Sequence, residues 1–340
     1  MLAVRCHRWM PYRDLEIEDI PIPDVGPGQV RIAVHNAGVS FATSLLTEGR
    51  YQLKPPLPFT PGTEVAGVID AVAAGVTRFK QGDRVCASIN WGGHAEYAVA
   101  DAVTAYRLPD GFPFDVAPQL PRSYGTSYAA LVWRARLRAG ETVLVHGAAG
   151  AVGLAAVEFA KGLGARVVAT ASTKAKLELA RDHGADETVI LPSVTALDDL
   201  RTMLPSGADV IVDPIGGDVF DLSLRCVAIG GRILVIGFAG GRIQQIPANI
   251  LLVKNVTILG FNYGLYAGSG RTDERERYEP EVRTAMDQIF AWYQQGKIRP
   301  VTSHQFPLRD YRAAMETVLS RRSMGKVVLE MPAVRDTPSA

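Results

Sequence analysis

Cysteine is scarce in this chain. The three present in 340 residues, Cys6, Cys86 and Cys226, stand far apart and form no C-x-x-C pair. That excludes a disulfide framework and a cysteine zinc cluster, and it suits a reducing cytosol. An excess of one charge is also missing: 36 Lys and Arg face 35 Asp and Glu, interspersed, for a net charge of +1. Nothing here makes a broad electrostatic footprint for nucleic acid or an anionic membrane, so the expected partners are small molecules. A clean membrane-length apolar run is absent, because the apolar stretch around 147–160 is interrupted by glycines and Glu158. Near the N-terminus Arg5, Arg8, Arg13 and Asp14 break any signal-peptide core. Together these absences point to a cytoplasmic protein. There are no repeats or low-complexity tracts, and only the tail after Met331 (PAVRDTPSA) reads as disordered.

What the chain does contain is length for two cores and one informative turn, TVLVHGAAGAVG at 142–153. An apolar β-branched run there enters a small-residue turn that opens into a helix. Residues 142–145 read as a buried parallel strand. Gly150 and Gly153 stand where the second and third glycines of a dinucleotide-binding fingerprint belong, with Ala148 in the first place; counted differently, the spacing is Gly147, Gly150, Gly153. The helix start would aim backbone N–H groups and its positive dipole end at a pyrophosphate. Strand and helix then alternate: a strand at 166–171, a helix at 174–183, and strands at 187–191, 208–213, 231–237 and 256–261. Residues 123–264 therefore read as a doubly wound α/β unit with a parallel sheet.

The second strand of that unit ends Thr170, Ala171, Ser172, Thr173, Lys174, Ala175, Lys176. NAD-binding versions place an Asp or Glu there to hold the ribose 2′-hydroxyl. Here no carboxylate opposes a 2′-phosphate, and two hydroxyls and two ammonium groups are available to bind one, so NADPH is the expected cofactor.

Residues 1–122 change texture, with Pro and Gly turns between short β runs such as 30–33, 65–72 and 84–88 and little helix. That reads as a compact β-rich domain. After 264 come a polar stretch to Pro280, a helix near 281–294, a β run about 304–306, a helix at 308–320 and a strand at 326–331. A final strand needs partners, so residues 265–340 are expected to return and complete the first domain's sheet, with the active site in a cleft between domains.

Several segments carry a family resemblance: PPLPFTPGTEVAGVI (55–69), FKQGDRV (79–85), GGHAEYAVA (92–100), YGTSYAAL (124–131), VDPIGGDVFD (212–221), GRILVIGF (231–238) and MGKVVL (324–329). With the glycine turn they span nearly the whole chain. The sequence resembles the zinc-independent medium-chain dehydrogenases/reductases, close to the NADPH:quinone oxidoreductases and ζ-crystallin. The resemblance implies a GroES-like catalytic domain (1–122), a Rossmann cofactor domain (123–264) and hydride transfer from NADPH to a quinone or an α,β-unsaturated carbonyl. It also implies a homodimer, paired through the edge strand at 256–261.

In zinc-dependent relatives a Cys stands where this chain has Ser40 and a His where it has Thr63, and the cysteine-rich structural loop is missing here, so no metal is expected. Glu64 survives without its metal context and reads as structural, while His94 and His146 are expected to serve backbone hydrogen bonds. By resemblance, Gly150, Ala151, Val152 and Gly153 match the pyrophosphate turn, and Ser172, Thr173 and Lys176 the 2′-phosphate pocket. Gly237, Phe238, Phe261 and Asn262 border the nicotinamide, and Ser40 and Thr43 replace an amide and a carboxylate near it. Pro192 replaces a tyrosine near the adenine end.

By the same resemblance, Tyr51 and Thr126 are the candidate proton or hydrogen-bond donors to the acceptor oxygen, solvent being the alternative. Arg122 stands where a small apolar residue is usual. It is either a specificity device at the substrate or a solvated group paired with a carboxylate such as Asp115. Two other readings remain open: an enoyl-thioester reductase, and a non-catalytic NADPH-binding protein of the crystallin or regulatory type.

Overall fold

The computed structural model describes residues 1–192, 196–270 and 272–332; most of the tail expected to be disordered lies outside the described residues. In chain order the strands are β1 (Leu2–Arg5), β2 (Glu16–Asp19), β3 (Gln29–Val39), β4 (Glu64–Val72), β5 (Arg84–Ser88), β6 (Tyr97–Asp101) and β7 (Ala105–Arg107). Six more follow: β8 (Thr142–Val145), β9 (Arg166–Ala171), β10 (Glu187–Ile190), β11 (Ala208–Asp213), β12 (Val227–Val235) and β13 (Thr257–Gly260). The last two are β14 (Thr302–Pro307) and β15 (Lys326–Glu330). The chain divides into two compact units. One holds Met1–Arg122, Gly264–Phe290 and the chain from Val301 on; the other holds Ser123–Tyr263 and Ala291–Pro300.

In the first unit the main sheet runs β14-β15-β3-β4-β5-β7, with β6 also on β3, and β1 pairs with β2 in a separate two-stranded sheet. The long β3 alternates in burial along its first half, as expected of a strand with one face on a core. The returning strand β15 lies antiparallel on β3, with Val327 opposite Val39 and Leu329 opposite Ala37. Val30, Ile32, Phe59, Ile69, Val85 and Leu329 pack with Leu308 and Met315 of the C-terminal stretch in one apolar cluster.

The second unit is a six-stranded sheet in the order β10-β9-β8-β11-β12-β13, parallel throughout. Its central strands β8, β9 and β11 are buried on both faces: Val143, Leu144, Val145, Val167, Val168, Ala169, Val210 and Ile211 are all fully buried. Continuous apolar runs of this kind are what a parallel sheet covered by helices requires. All strands point the same way, so the turns that follow them share one edge, and the order reverses between β8 and β11.

The return segment divides differently from the sequence expectation. Residues 291–300 belong to the nucleotide-type unit, so 265–340 does not return to the first domain as one piece. Trp292 is 8% exposed and packs on Phe159, ring centroids 5.5 Å apart, where Gly162 leaves room for it. The helix carrying it starts earlier than expected, spanning Arg275–Gln294 with Pro280 inside it. β12 also begins four residues before the expected 231, because a register irregularity in its pairing with β11, spanning Gly230 and Gly231, absorbs the extra residues.

Candidate active site

The turn after β8 is shaped by its glycines. Gly147 has φ +60°, a region that β-carbon sterics close to most residues. Gly153 lies against it: a Cβ there would come 2.2 Å from the Gly147 carbonyl oxygen. Gly150 differs, since its Cβ would meet only that same oxygen, at an ordinary 3.5 Å. Gly153 is thus demanded by the protein's own packing, whereas Gly150 is an exposed opening at the N-terminus of the helix Ala151–Gly162. The first intrahelical bond runs from Leu154 N–H to the Gly150 carbonyl, 2.8 Å. The N–H groups of Ala151, Val152 and Gly153 have no intrahelical acceptor by helix geometry. An anionic ligand fits this opening.

Ser172 and Thr173, both exposed, follow β9 on the same edge. Thr173 caps the helix Lys174–Asp182, its Oγ1 accepting from Lys176 N–H at 3.3 Å. The hydroxyl proton stays available to a ligand. Gly237 and Phe238 follow β12, and Phe261 and Asn262 follow β13; Phe238 is 39% exposed and Phe261 7%. The second unit therefore gathers the pyrophosphate, 2′-phosphate and nicotinamide candidates along one sheet edge. It also contains Thr126, half-buried in the helix Gly125–Ala129, which is flanked by π-helical turns at Leu120–Tyr124 and Ala130–Arg134.

Two buried carboxylates of this unit escaped the sequence reading. Asp213, 1% exposed, accepts from Ile215 and Gly216 N–H at 2.8 and 2.9 Å and so fixes the turn after β11. Glu158, 3% exposed, accepts from Tyr124 Oη at 2.6 Å, His183 Nδ1 at 2.7 Å and Arg299 N–H at 2.7 Å. Burial and the carboxylate beside it hold the Tyr124 phenol well above its usual range. The available signal was a glutamate inside the apolar helix AVGLAAVEFAKG, since a buried charge demands partners.

Ser40, Tyr51 and Arg122 belong to the first unit. Ser40 precedes the helix Phe41–Thr47, its Oγ 3.2 Å from Thr43 Oγ1. Tyr51 is half-buried against the unit's core. Arg122 is not paired with Asp115. Its guanidinium donates to the Ile89 carbonyl at 2.8 Å and to Ser269 Oγ at 3.3 Å, while its Nε is buried without a partner. The solvated-surface alternative does not describe it.

His94 donates from Nε2 to the Gly38 carbonyl at 3.2 Å, as expected. The His146 ring bonds side chains rather than backbone. Its Nδ1 lies 2.9 Å from Thr170 Oγ1 and its Nε2 2.9 Å from Ser223 Oγ. Ser223 gives its own proton to the Val219 carbonyl, which assigns the imidazole proton to Nε2. Burial pushes both imidazoles down to about 4, so both are neutral at pH 7. Glu64 forms a buried ion pair with Lys326. Among the described residues no group of three or more His, Cys, Asp or Glu is placed to hold a metal ion.

A parallel sheet with a glycine turn at its order reversal, in one chain with a GroES-type β unit, defines a two-unit nucleotide-dependent dehydrogenase/reductase. The alcohol dehydrogenase GroES-like domain family matches residues 26–110, and the zinc-binding dehydrogenase family matches residues 151–282. The chain is 40% identical over 319 residues to quinone oxidoreductase-like protein 2 of Rattus norvegicus, covering 93% of this chain and 89% of that one. Among solved structures it is similar to the quinone oxidoreductase of Thermus thermophilus, described with its NADPH complex, at TM-score 0.82 and 33% identity over 97% of this chain and 100% of that one. The Escherichia coli quinone oxidoreductase complexed with NADPH matches with TM-score 0.86 and 25% identity, covering 97% and 100%. The chain belongs to the medium-chain dehydrogenase/reductase family, among its quinone oxidoreductases and their like.

Proposed function

We propose that the protein is an NADPH-dependent, metal-free oxidoreductase that reduces quinones or α,β-unsaturated carbonyls. The observation that carries this reading is the open Gly150 position at a helix N-terminus, on the same sheet edge as Ser172 and Thr173, with Lys176 in the first turn of the helix that follows them. Ala151, Val152 and Gly153 N–H groups would hold the pyrophosphate. Ser172, Thr173 and Lys176 would hold the 2′-phosphate, and Gly237, Phe238, Phe261 and Asn262 would border the nicotinamide, with Ser40 beside it. When bound, the cofactor supplies hydride to an electron-poor carbon of the acceptor.

The chain's own part is orientation, water exclusion and charge stabilisation. Tyr51 Oη and Thr126 Oγ1 are the proposed donors to the acceptor oxygen. Arg122, held by the Ile89 carbonyl, is the proposed group that stabilises negative charge developing there. The zinc-ligand positions of metal-dependent relatives hold Ser40 and Thr63, which supports chemistry without a metal. Three buried free cysteines suit a cytoplasmic location.

The test is steady-state NADPH oxidation with 1,4-benzoquinone, 9,10-phenanthrenequinone, an enone and crotonyl-CoA, before and after exhaustive chelation. Turnover of a quinone or enone that survives chelation is expected, with Arg122→Leu slower by about a hundredfold and NADPH affinity nearly unchanged, the loss of one such donor costing about 3 kcal/mol. Preference for crotonyl-CoA would select the enoyl-thioester reading. NADPH binding with no turnover of any acceptor would select the binding-protein reading, and loss of activity with removed zinc would overturn the metal-free mechanism.

A further inference from the structure

The unit that carries Ser40 and Tyr51 also holds a cavity of about 590 Å³, which lies within the range of small-molecule sites. Ser40, Tyr51 and Arg122 are not among its lining residues, and all of those lining residues belong to this one unit. Its lining includes Trp91, Tyr97 and four prolines, together with Phe59, which is 2% exposed. Such rings and pyrrolidines are rigid, so they present flat surface at little entropic cost.

Two side chains that line it carry a polar atom without a partner. Ser88, at the end of β5, is 2% exposed and its Oγ is buried without a hydrogen bond. Arg5 makes two long contacts, Nη1 to Thr60 Oγ1 and Nη2 to the Pro58 carbonyl, both 3.3 Å and both to neutral acceptors, and its Nε is buried without any. Nearly all buried polar atoms in folded proteins find a partner, and an unmet one is costly. Here a donor hydroxyl and an unpaired cation share one hollow with aromatic walls. The other guanidinium on the lining, Arg275, is already engaged by Asp101 and Asp273, which leaves Arg5 as the lining guanidinium with no carboxylate among the described residues. Asp24, also on the lining, would repel a multiply charged anion but tolerates a single charge balanced by Arg5.

The geometry points to a second ligand site in this unit, for a planar aromatic monocarboxylate whose ring lies among Phe59, Trp91 and Tyr97 and whose carboxylate accepts from Arg5 and Ser88. The site does not depend on which acceptor the enzyme reduces. Isothermal titration of the full chain with 2-naphthoate, with and without saturating NADPH, tests it against the neutral analogue 2-naphthamide. One saturable site per chain is expected in both conditions. Arg5→Met should weaken naphthoate by about tenfold or more, as for the loss of a charged hydrogen bond, and leave naphthamide unchanged; Ser88→Ala, a milder change that keeps the fold, should weaken naphthoate several-fold. Absence of saturable binding, naphthoate affinity unaltered in both variants, or displacement of naphthoate by NADPH would overturn the proposal.

Discussion

At the scale of single residues, the glycine turn makes a sharp distinction between neighbours. Gly153→Ala drives a Cβ to 2.2 Å from a backbone oxygen, so the turn must move, and a stability loss above about 4 kcal/mol is expected. Gly150→Ala meets nothing closer than 3.5 Å. It should leave the melting temperature nearly unchanged and weaken NADPH by about tenfold, since the methyl takes the room and the close approach that a phosphate needs. Thermal melts and cofactor titrations on the pair decide this; equal thermal effects would refute it. Lys176→Ala should weaken NADPH but not NADH by about tenfold to a hundredfold, the worth of a charge-assisted hydrogen bond of roughly 1.5 to 3 kcal/mol. Equal affinity of the unmutated protein for both cofactors would contradict that assignment. The glycines and the acid-free end of β9 are legible in the sequence because each acts through its immediate neighbours. The partners of Arg122 were not, because Ile89 and Ser269 lie 33 and 147 residues away and no local pattern encodes them.

At the scale of elements, the parallel sheet is readable because β-branched and apolar runs of strand length alternate with helical stretches. Where the sequence reading slipped, a local signal was overridden. Pro280 argues for a helix start, yet the helix begins at Arg275 and carries the proline within it, at the cost of one backbone hydrogen bond. The edge element β13 pairs only with β12 among the described residues, and the helix Ala248–Lys254 before it buries none of its residues. Leu252 and Val253 are 79% and 75% exposed there, with Ile229 at 79% and Ile243 at 70% on the same unit. Exposed apolar surface next to an open edge is a liability unless a partner covers it. We propose pairing with a second copy through this edge, so light scattering at micromolar concentration should report a dimer. Leu252→Glu with Val253→Glu should shift it to monomer without altering NADPH affinity; a wild type that is only monomeric would refute this.

At the scale of the whole molecule, acid is the expected weak point. His94 and His146 are buried neutral, with pKa values pushed down to about 4 from an ordinary value near 6.5 in the unfolded chain. Between those values the unfolded state binds more protons than the folded one, so stability falls as pH drops and is fully present only above about 6.5. Each imidazole contributes on the order of 3 kcal/mol across that window. Melting temperatures measured from pH 8 to pH 4 should be flat at first and then fall steeply below about 6.5. A constant melting temperature between pH 7 and 5 would mean that these rings are hydrated or protonated in the fold.

The carboxylate of Glu158 has a consequence in time as well as in space. It takes one of its three hydrogen bonds from the backbone of Arg299, and residues 291–300 are the last part of the nucleotide-type unit to be synthesised. When the ribosome finishes Tyr263, all six strands of the parallel sheet exist, yet that buried charge still lacks a donor and Phe159 lacks the cover of Trp292. The 36 residues at 264–299 take roughly two to seven seconds at about 5–20 residues per second. For that interval the nascent cofactor unit is nearly complete and open at one side, so its final closure cannot come before translation has passed through a stretch that mostly belongs to the other unit.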